Sequence, residues 1–208
     1  MAYLQQPKDK LTITNVLILI NSLIIMAGAF MTPLWSNFVL QIGGNLQTAG
    51  IAIAVFSIVI GGFMCLAGKI EHHYQHDEWF MISSQFVVLV SYIGYFFVHH
   101  PWQLYLVEMG LGIGGAFQSP AICAIYQRYF TQKQSALFWA VWNGFYNIAM
   151  GAGALLAAVL VSYFNYKTMF AVLTGVAALC LIVTIGLMMK IQGQNFMASL
   201  RLTKNEIS

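Results

Sequence analysis

Charge is what this sequence has least of. Lysine, arginine, aspartate and glutamate make up 7% of its 208 residues, against about 25% in a typical soluble domain. With 60% of the residues hydrophobic, no compact water-soluble core could hide the apolar surface, so a soluble all-helical protein is excluded in favour of one that lives in lipid. The lysines and arginines stand singly, without a basic tract, and the net charge of +3 gives no footing for nucleic acid. Cysteine is sparse as well. Cys65, Cys123 and Cys180 all lie inside apolar runs, where they read as small packing residues and not as disulfide partners or metal ligands. Enzyme signatures are missing: there is no Ser-His-Asp set, no phosphate-cradling loop and no HExxH, and Gly112-Ile113-Gly114-Gly115 lacks the strand that precedes a nucleotide loop. No cofactor is expected. The first apolar run is too long for the core of a secretion signal and has no A-x-A-like site, so it is expected to be retained.

What the sequence does have is long apolar runs. A bilayer crossing takes about 20 mostly apolar residues in a helix. Six runs qualify, at 12–38, 49–68, 79–98, 102–127, 134–161 and 166–190. They predict an all-α membrane protein over 1–208, a single six-helix transmembrane domain with a short polar tail at 191–208. Lysine and arginine bias sets orientation. Lys8, Lys10, Lys69, Arg128, Lys133, Lys190, Arg201 and Lys204 fall on one side and Lys167 alone on the other, which puts both termini in the cytoplasm. Trp35, Trp79, Trp102 and Tyr163 lie near span ends, as an aromatic belt requires.

Lipid gives helices no hydrophobic reason to associate, so small residues that admit close approach mark the contacts. The second run carries Gly50, Ala54, Ser57, Gly61, Cys65 and Gly68 on one stripe. The fourth carries Gly110 and Gly114 on one face, and Glu108, Gly112, Gly115 and Ser119 on another. The fifth aligns Gly144, Gly151 and Ala158. Gly61, Gly110, Gly114, Gly144 and Gly151 are therefore the expected packing positions.

The charge that does exist gathers in "GKIEHHYQHDEW", residues 68–79, between the second and third runs. Together with the six spans and cytoplasmic ends, that loop resembles the amino-terminal half of a major facilitator superfamily transporter. In that family the loop carries a G-x-L-A-D-R-x-G-R-K motif; here Gly68 and Ile70 fit, an acid stands at Glu71, and His73 occupies the first arginine position. The fourth run's "MGLGIGGAFQSPAICAIYQRYF" is similar to the family's R-x-x-x-G-x-x-x-G pattern and following proline through Gly110, Gly114 and Pro120, with Leu106 at the arginine position. "NYKTMF" resembles the entry to the family's sixth helix. The resemblance covers about 11–190 and implies two three-helix repeats. It also implies alternating access by one half rocking against a second. That in turn implies a parallel homodimer or a partner with another six-helix half. The short loops and the lack of a targeting peptide point to a bacterial cytoplasmic membrane.

Glu108 is the one acid inside a span, and an intramembrane carboxyl is a functional candidate by default. It either binds a cation, takes up a proton, or is simply solvated near the helix end. Asn143 and Asn147 sit one turn apart in the fifth run, with Trp139 and Tyr146 nearby. Asn21, Gly28 and Thr32 share a stripe on the first, and Gln118 lies deep in the fourth. Amides with aromatics suit a neutral, amphipathic or cationic organic solute, or else interhelical hydrogen bonds. The expected solute pathway is thus Glu108, Asn21, Gln118, Asn143, Tyr146, Asn147 and Trp139. In the loop, Gly68, Glu71, His72, His73, His76 and Asp77, facing Arg128, form an expected conformational latch that histidine would make pH-sensitive. His72 and His76 at i, i+4 could hold zinc, but the set is incomplete and no metal is expected. The sequence points to secondary transport of a small organic solute, or to a non-transporting subunit packed against another membrane complex.

Overall fold

The computed structural model describes the backbone of residues 7–74, 77–129 and 135–207, and the side chains of Ile13, 15–70, 78–125, 136–137 and 139–191. It is all helical. The helices are α1 (Pro7–Ala29), α2 (Trp35–Gln41), α3 (Leu46–Tyr74), α4 (Asp77–Gly94), α5 (Pro101–Tyr129), α6 (Ser135–Tyr163) and α7 (Tyr166–Ile207), with a 3-10 turn at Tyr95–Phe97 after α4.

Local chemistry accounts for the ends. The first predicted span, 12–38, is broken: Pro33 has no N–H and disfavours a helical Thr32 before it. The chain there makes tight turns, Phe30 N–H to Ala27 O, Thr32 N–H to Ala29 O and Leu34 N–H to Met31 O, before α2 resumes. Gly43, at φ 78°, supplies the left-handed step out of α2. Asn45 then caps α3. Its Oδ1 accepts Thr48 N–H at 2.9 Å while Thr48 Oγ1 accepts Asn45 N–H at 3.2 Å. Asn165 repeats the device on α7, accepting Thr168 N–H at 2.9 Å. α5 starts on Pro101, well placed where the N–H would be unbonded anyway, and Gln103 Oε1 reaches back to His99 and His100 N–H.

Other boundaries differ from the sequence expectation. The charged stretch is mostly helical, because α3 continues to Tyr74 and α4 begins at Asp77. The tail at 191–208 is not a separate segment, since α7 runs unbroken through Ile207; no proline interrupts it. Among the described residues, four helical stretches are long and apolar enough to cross a membrane: Leu46–Ile70, Glu78–Phe97, Trp139–Tyr163 and Tyr166–Ile191. The fourth predicted span, α5, falls short because it is diluted by its glycines, Glu108, Gln118 and Pro120; of α1, only the apolar stretch Asn15–Ala29 lies within the continuously described side chains.

The helices pack in series: α3 on α5, α5 on α4, α4 on α7, α7 on α1, and α1 on α6. Two apolar clusters hold the two ends. One gathers Phe30, Phe38, Tyr92, Tyr95, Phe170 and Leu173 near the turns at 30–45 and 95–100. The other gathers Ile13, Leu17, Met81, Ile125, Met188 and Ile191 at the opposite end. α5 uses both of its expected small faces. A Cβ at Gly110 would collide with Ser91 Oγ, and at Gly114 it would sit 2.7 Å from Val88 Cγ2, both on α4. At Gly112 it would lie 2.9 Å from Phe56 O, and at Gly115 2.8 Å from Ile60 Cδ1, both on α3.

At Gly61, Gly144 and Gly151, beyond their own stretch of helix, nothing among the described residues lies within 4 Å of a Cβ built there. Their stripes lie on α3 and α6, the two helices at the ends of the series. Only 11% of the apolar stretch of α3 and 17% of that of α6 is buried, against 39% in α4 and 33% in α7. The flanking helices thus turn small-residue faces outward. Trp35 is a correction. It is half-buried and donates Nε1–H to Ala49 O at 3.4 Å, tying α2 to α3, whereas Trp79, Trp102 and Tyr163 are exposed as an aromatic belt requires. In the latch, nothing among the described residues of other helices lies within 4 Å of a Cβ built at Gly68. The side chains of Glu71, His72, His73, His76, Asp77 and Arg128 lie outside the described residues.

Candidate functional site

The packing series lines an open cavity of about 760 Å³, within the range of small-molecule sites. Every helix but α7 contributes to its wall. α1 brings Asn21 and Gly28, the following turn Thr32, and α2 Trp35 and Ser36. α3 adds Phe56 and α4 adds Tyr92, with Tyr95 just beyond it. α5 supplies Glu108, Gln118, Ser119 and Cys123, and α6 supplies Trp139, Trp142 and Tyr146.

Glu108 is the anchor of this wall. It is 7% exposed, so it is not the freely solvated carboxyl that its place near the start of α5 allowed. Its Oε1 accepts the Tyr95 hydroxyl at 2.5 Å. Tyr95 is itself held by rings: it stacks on Phe170 at 5.1 Å and 9°, lies beside Tyr92 at 6.4 Å, and meets Phe38 edge-on at 6.1 Å. A carboxyl hydrogen-bonded to a side chain that cannot rotate away is held in one place. Among the described residues, the lining contains no Lys, Arg or His to stand as a counter-charge to Glu108.

Of the seven expected pathway residues, the structure brings five to this wall: Asn21, Glu108, Gln118, Trp139 and Tyr146. Asn143 and Asn147 are not among them. Both are exposed, and their amides close on their own helix, Asn143 Nδ2–H to Trp139 O at 2.8 Å and Asn147 Nδ2–H to Asn143 O at 2.7 Å. One turn of separation had aligned them with Trp139, but the cavity-facing side of α6 follows Trp139, Trp142, Tyr146 and Met150 instead.

Sequence reasoning missed Tyr92, Tyr95, Trp35 and Trp142. The signal for Tyr95 was available. α4 and α5 form an antiparallel hairpin, and the pairs Gly114–Val88, Gly110–Ser91 and Gly94–Val107 share nearly the same sum of residue numbers, which places Tyr95 opposite Glu108. Among the described residues no three His, Cys, Asp or Glu side chains come together as a metal site would need.

The sequence model of the Major Facilitator Superfamily matches residues 17–194. A protein of Arabidopsis thaliana named for glycerol-3-phosphate transport is 29% identical over 86 residues, which cover 41% of this chain. The matched piece spans 16% of that protein's length.

Proposed function

Because the chain belongs to the Major Facilitator Superfamily, we propose that it carries a small organic solute through the bilayer by secondary transport, with its cavity as the solute site. The observation that carries this reading is the convergence of Asn21, Glu108 and Gln118 on one cavity inside a chain that is otherwise 60% hydrophobic. Polar groups at that depth are costly unless they serve a pathway. All six long helices, α1 and α3–α7, cross the membrane in this reading, with both termini cytoplasmic. α1 does so through its packing on α6 and α7, and α5 through its packing on α3 and α4.

Alternating access needs a second wall. The bare stripes of Gly61 on α3 and Gly151 on α6 are suited to receive it, since small residues let membrane helices approach. A second copy in parallel orientation supplies that wall by a two-fold axis along the membrane normal. The phosphate ester in the Arabidopsis protein's name is not carried over to this chain, because among the described residues no cationic side chain lines the cavity. Family membership speaks for transport and not for catalysis.

The test is access from both sides. In a chain whose three cysteines are replaced by alanine, Q118C is exposed to a membrane-impermeant maleimide in right-side-out and in inside-out vesicles. Labelling from both faces is the expected result; labelling from one face only, or from neither, overturns the transport reading. Native mass spectrometry of the gently extracted chain is expected to give a homodimer. A stable complex with a different membrane protein, joined to one-sided labelling, would favour a non-transporting subunit.

A further inference from the structure

The chemistry of the wall narrows the solute further than its size does. Three features coincide in one cavity. A single carboxyl, Glu108, is fixed by Tyr95. Among the described residues, the lining has no Lys, Arg or His that would neutralise it or attract an anion. Aromatic faces come from several helices, with Phe56 on α3, Tyr92 on α4, and Trp139 and Trp142 on α6, the last two edge-on at 6.1 Å. A buried negative charge without a partner is costly. Aromatic rings offer a cation an attractive face, more so when water is excluded. An anion would meet repulsion from Glu108 and no compensating donor of positive charge. A neutral solute would leave the carboxyl without a counter-charge, and a buried carboxyl without one takes up a proton instead.

From this we infer that the cavity takes a monovalent organic cation, an amine or quaternary ammonium with an apolar or aromatic body, with Glu108 as its counter-charge and the ring faces of α3, α4 and α6 around its head. The inference rests on the transport reading of the cavity and deepens it. Completion of the cavity by a second copy would not change its sign, because the added wall would be this same set of residues. The polar groups Asn21, Gln118 and Ser119 then orient the head by hydrogen bonds, without altering the charge preference.

Intrinsic fluorescence provides the test, since Trp35, Trp139 and Trp142 line the cavity while Trp79 and Trp102 are exposed elsewhere. In a W79F/W102F chain, benzyltrimethylammonium and phenyl phosphate are titrated separately; the two probes share a ring and carry opposite charge. Saturable quenching by benzyltrimethylammonium and none by phenyl phosphate is expected. E108Q should weaken the cation by about ten- to hundredfold, the range for losing an interaction with a charged partner. Y146L, which keeps Glu108, should weaken it by a few-fold up to about thirtyfold, and it serves should E108Q fail to fold. Saturable binding of phenyl phosphate overturns the inference. So does cation binding that E108Q and Y146L both leave unchanged. The Q118C labelling separates the two levels. If neither probe binds but Q118C is labelled from both faces, the cation inference fails and the transport reading stands. If Q118C is not labelled from both faces, the transport reading itself fails.

Discussion

A methyl group added to Gly153 should pry α1 from α6. A Cβ there collides with the backbone oxygen of Met26 and comes within 3.1 Å of Ala29 Cβ. Neither atom belongs to a flexible side-chain end, so the two helices have to separate. Overpacking costs about 1–3 kcal/mol, and a clash against backbone sits at the upper end. Replacing glycine by alanine inside a helix returns about 1 kcal/mol. The net loss for G153A is then about 2 kcal/mol, which for a chain of this length lowers Tm by roughly 4–8 °C. Gly175 on α7 is the control: it also sits mid-helix, with nothing within 4 Å of its Cβ position. G175A should hold Tm or raise it by a few degrees. Thermal unfolding of the detergent-solubilised chain, followed by size exclusion, reads both. Equal Tm values for G153A and G175A would refute the packing assigned to the α1–α6 crossing. Because Asn21 and Trp139 stand on those two helices, G153A should also shift the emission of the cavity tryptophans, and G175A should not.

Three further outcomes follow from the same geometry. Y95F removes the hydrogen bond to Glu108 and should cost about 1.5–3 kcal/mol of stability; the double variant Y95F/E108Q should cost less than the two single changes added together, and strict additivity would show that the bond contributes nothing. G61L combined with G151L places bulk on the bare faces of α3 and α6, so native mass spectrometry should show loss of the dimer while the helical circular dichroism stays unchanged; an intact dimer would move the interface elsewhere. Gln85 is fully buried in α4, and neither amide atom has a hydrogen-bond partner, so the near-isosteric Q85M should raise stability by about 1–3 kcal/mol, and a lower Tm would reveal a partner for that amide.

The all-helical class and the membrane setting were legible at once, because composition alone leaves no other solvent for this chain. The two faces of α5 were legible because glycines at spacings of three and four point to different neighbours, and Gly110 and Gly112 do meet different helices. The glycines of α3 and α6 mark faces that meet no other helix among the described residues. A small residue records that something approaches closely, and it does not record whether that neighbour is in the same chain. The first span looked continuous because Pro33 stands in an apolar run, where hydropathy averages over it. The break shows in backbone chemistry, through the missing N–H and the turns at Phe30 and Thr32. Asn143 and Asn147 looked like cavity residues because their spacing was right; the amides instead bond the preceding turn of their own helix, an option open to any asparagine in a helix.

The layout of the helices is nearly symmetric, and the chemistry placed on it is not. Exchanging α1, α3 and α4 with α5, α6 and α7 maps the α3–α5 pair onto α6–α1 and the α4–α5 pair onto α7–α1, and leaves α4–α7 in place. Under that exchange α1 and α5 are equivalents, and both line the cavity. Yet α1 presents the amide of Asn21 where α5 presents the carboxyl of Glu108 together with Gln118. Tyr95, which fixes that carboxyl, belongs to the α4–α5 hairpin, a connection that α1 and α7 do not share. A symmetric frame can be recovered from span count and loop length. The carboxyl on which the proposed cation preference rests sits off the axis of that frame, on one helix of an equivalent pair, and is found only when the α4–α5 register brings Tyr95 to Glu108.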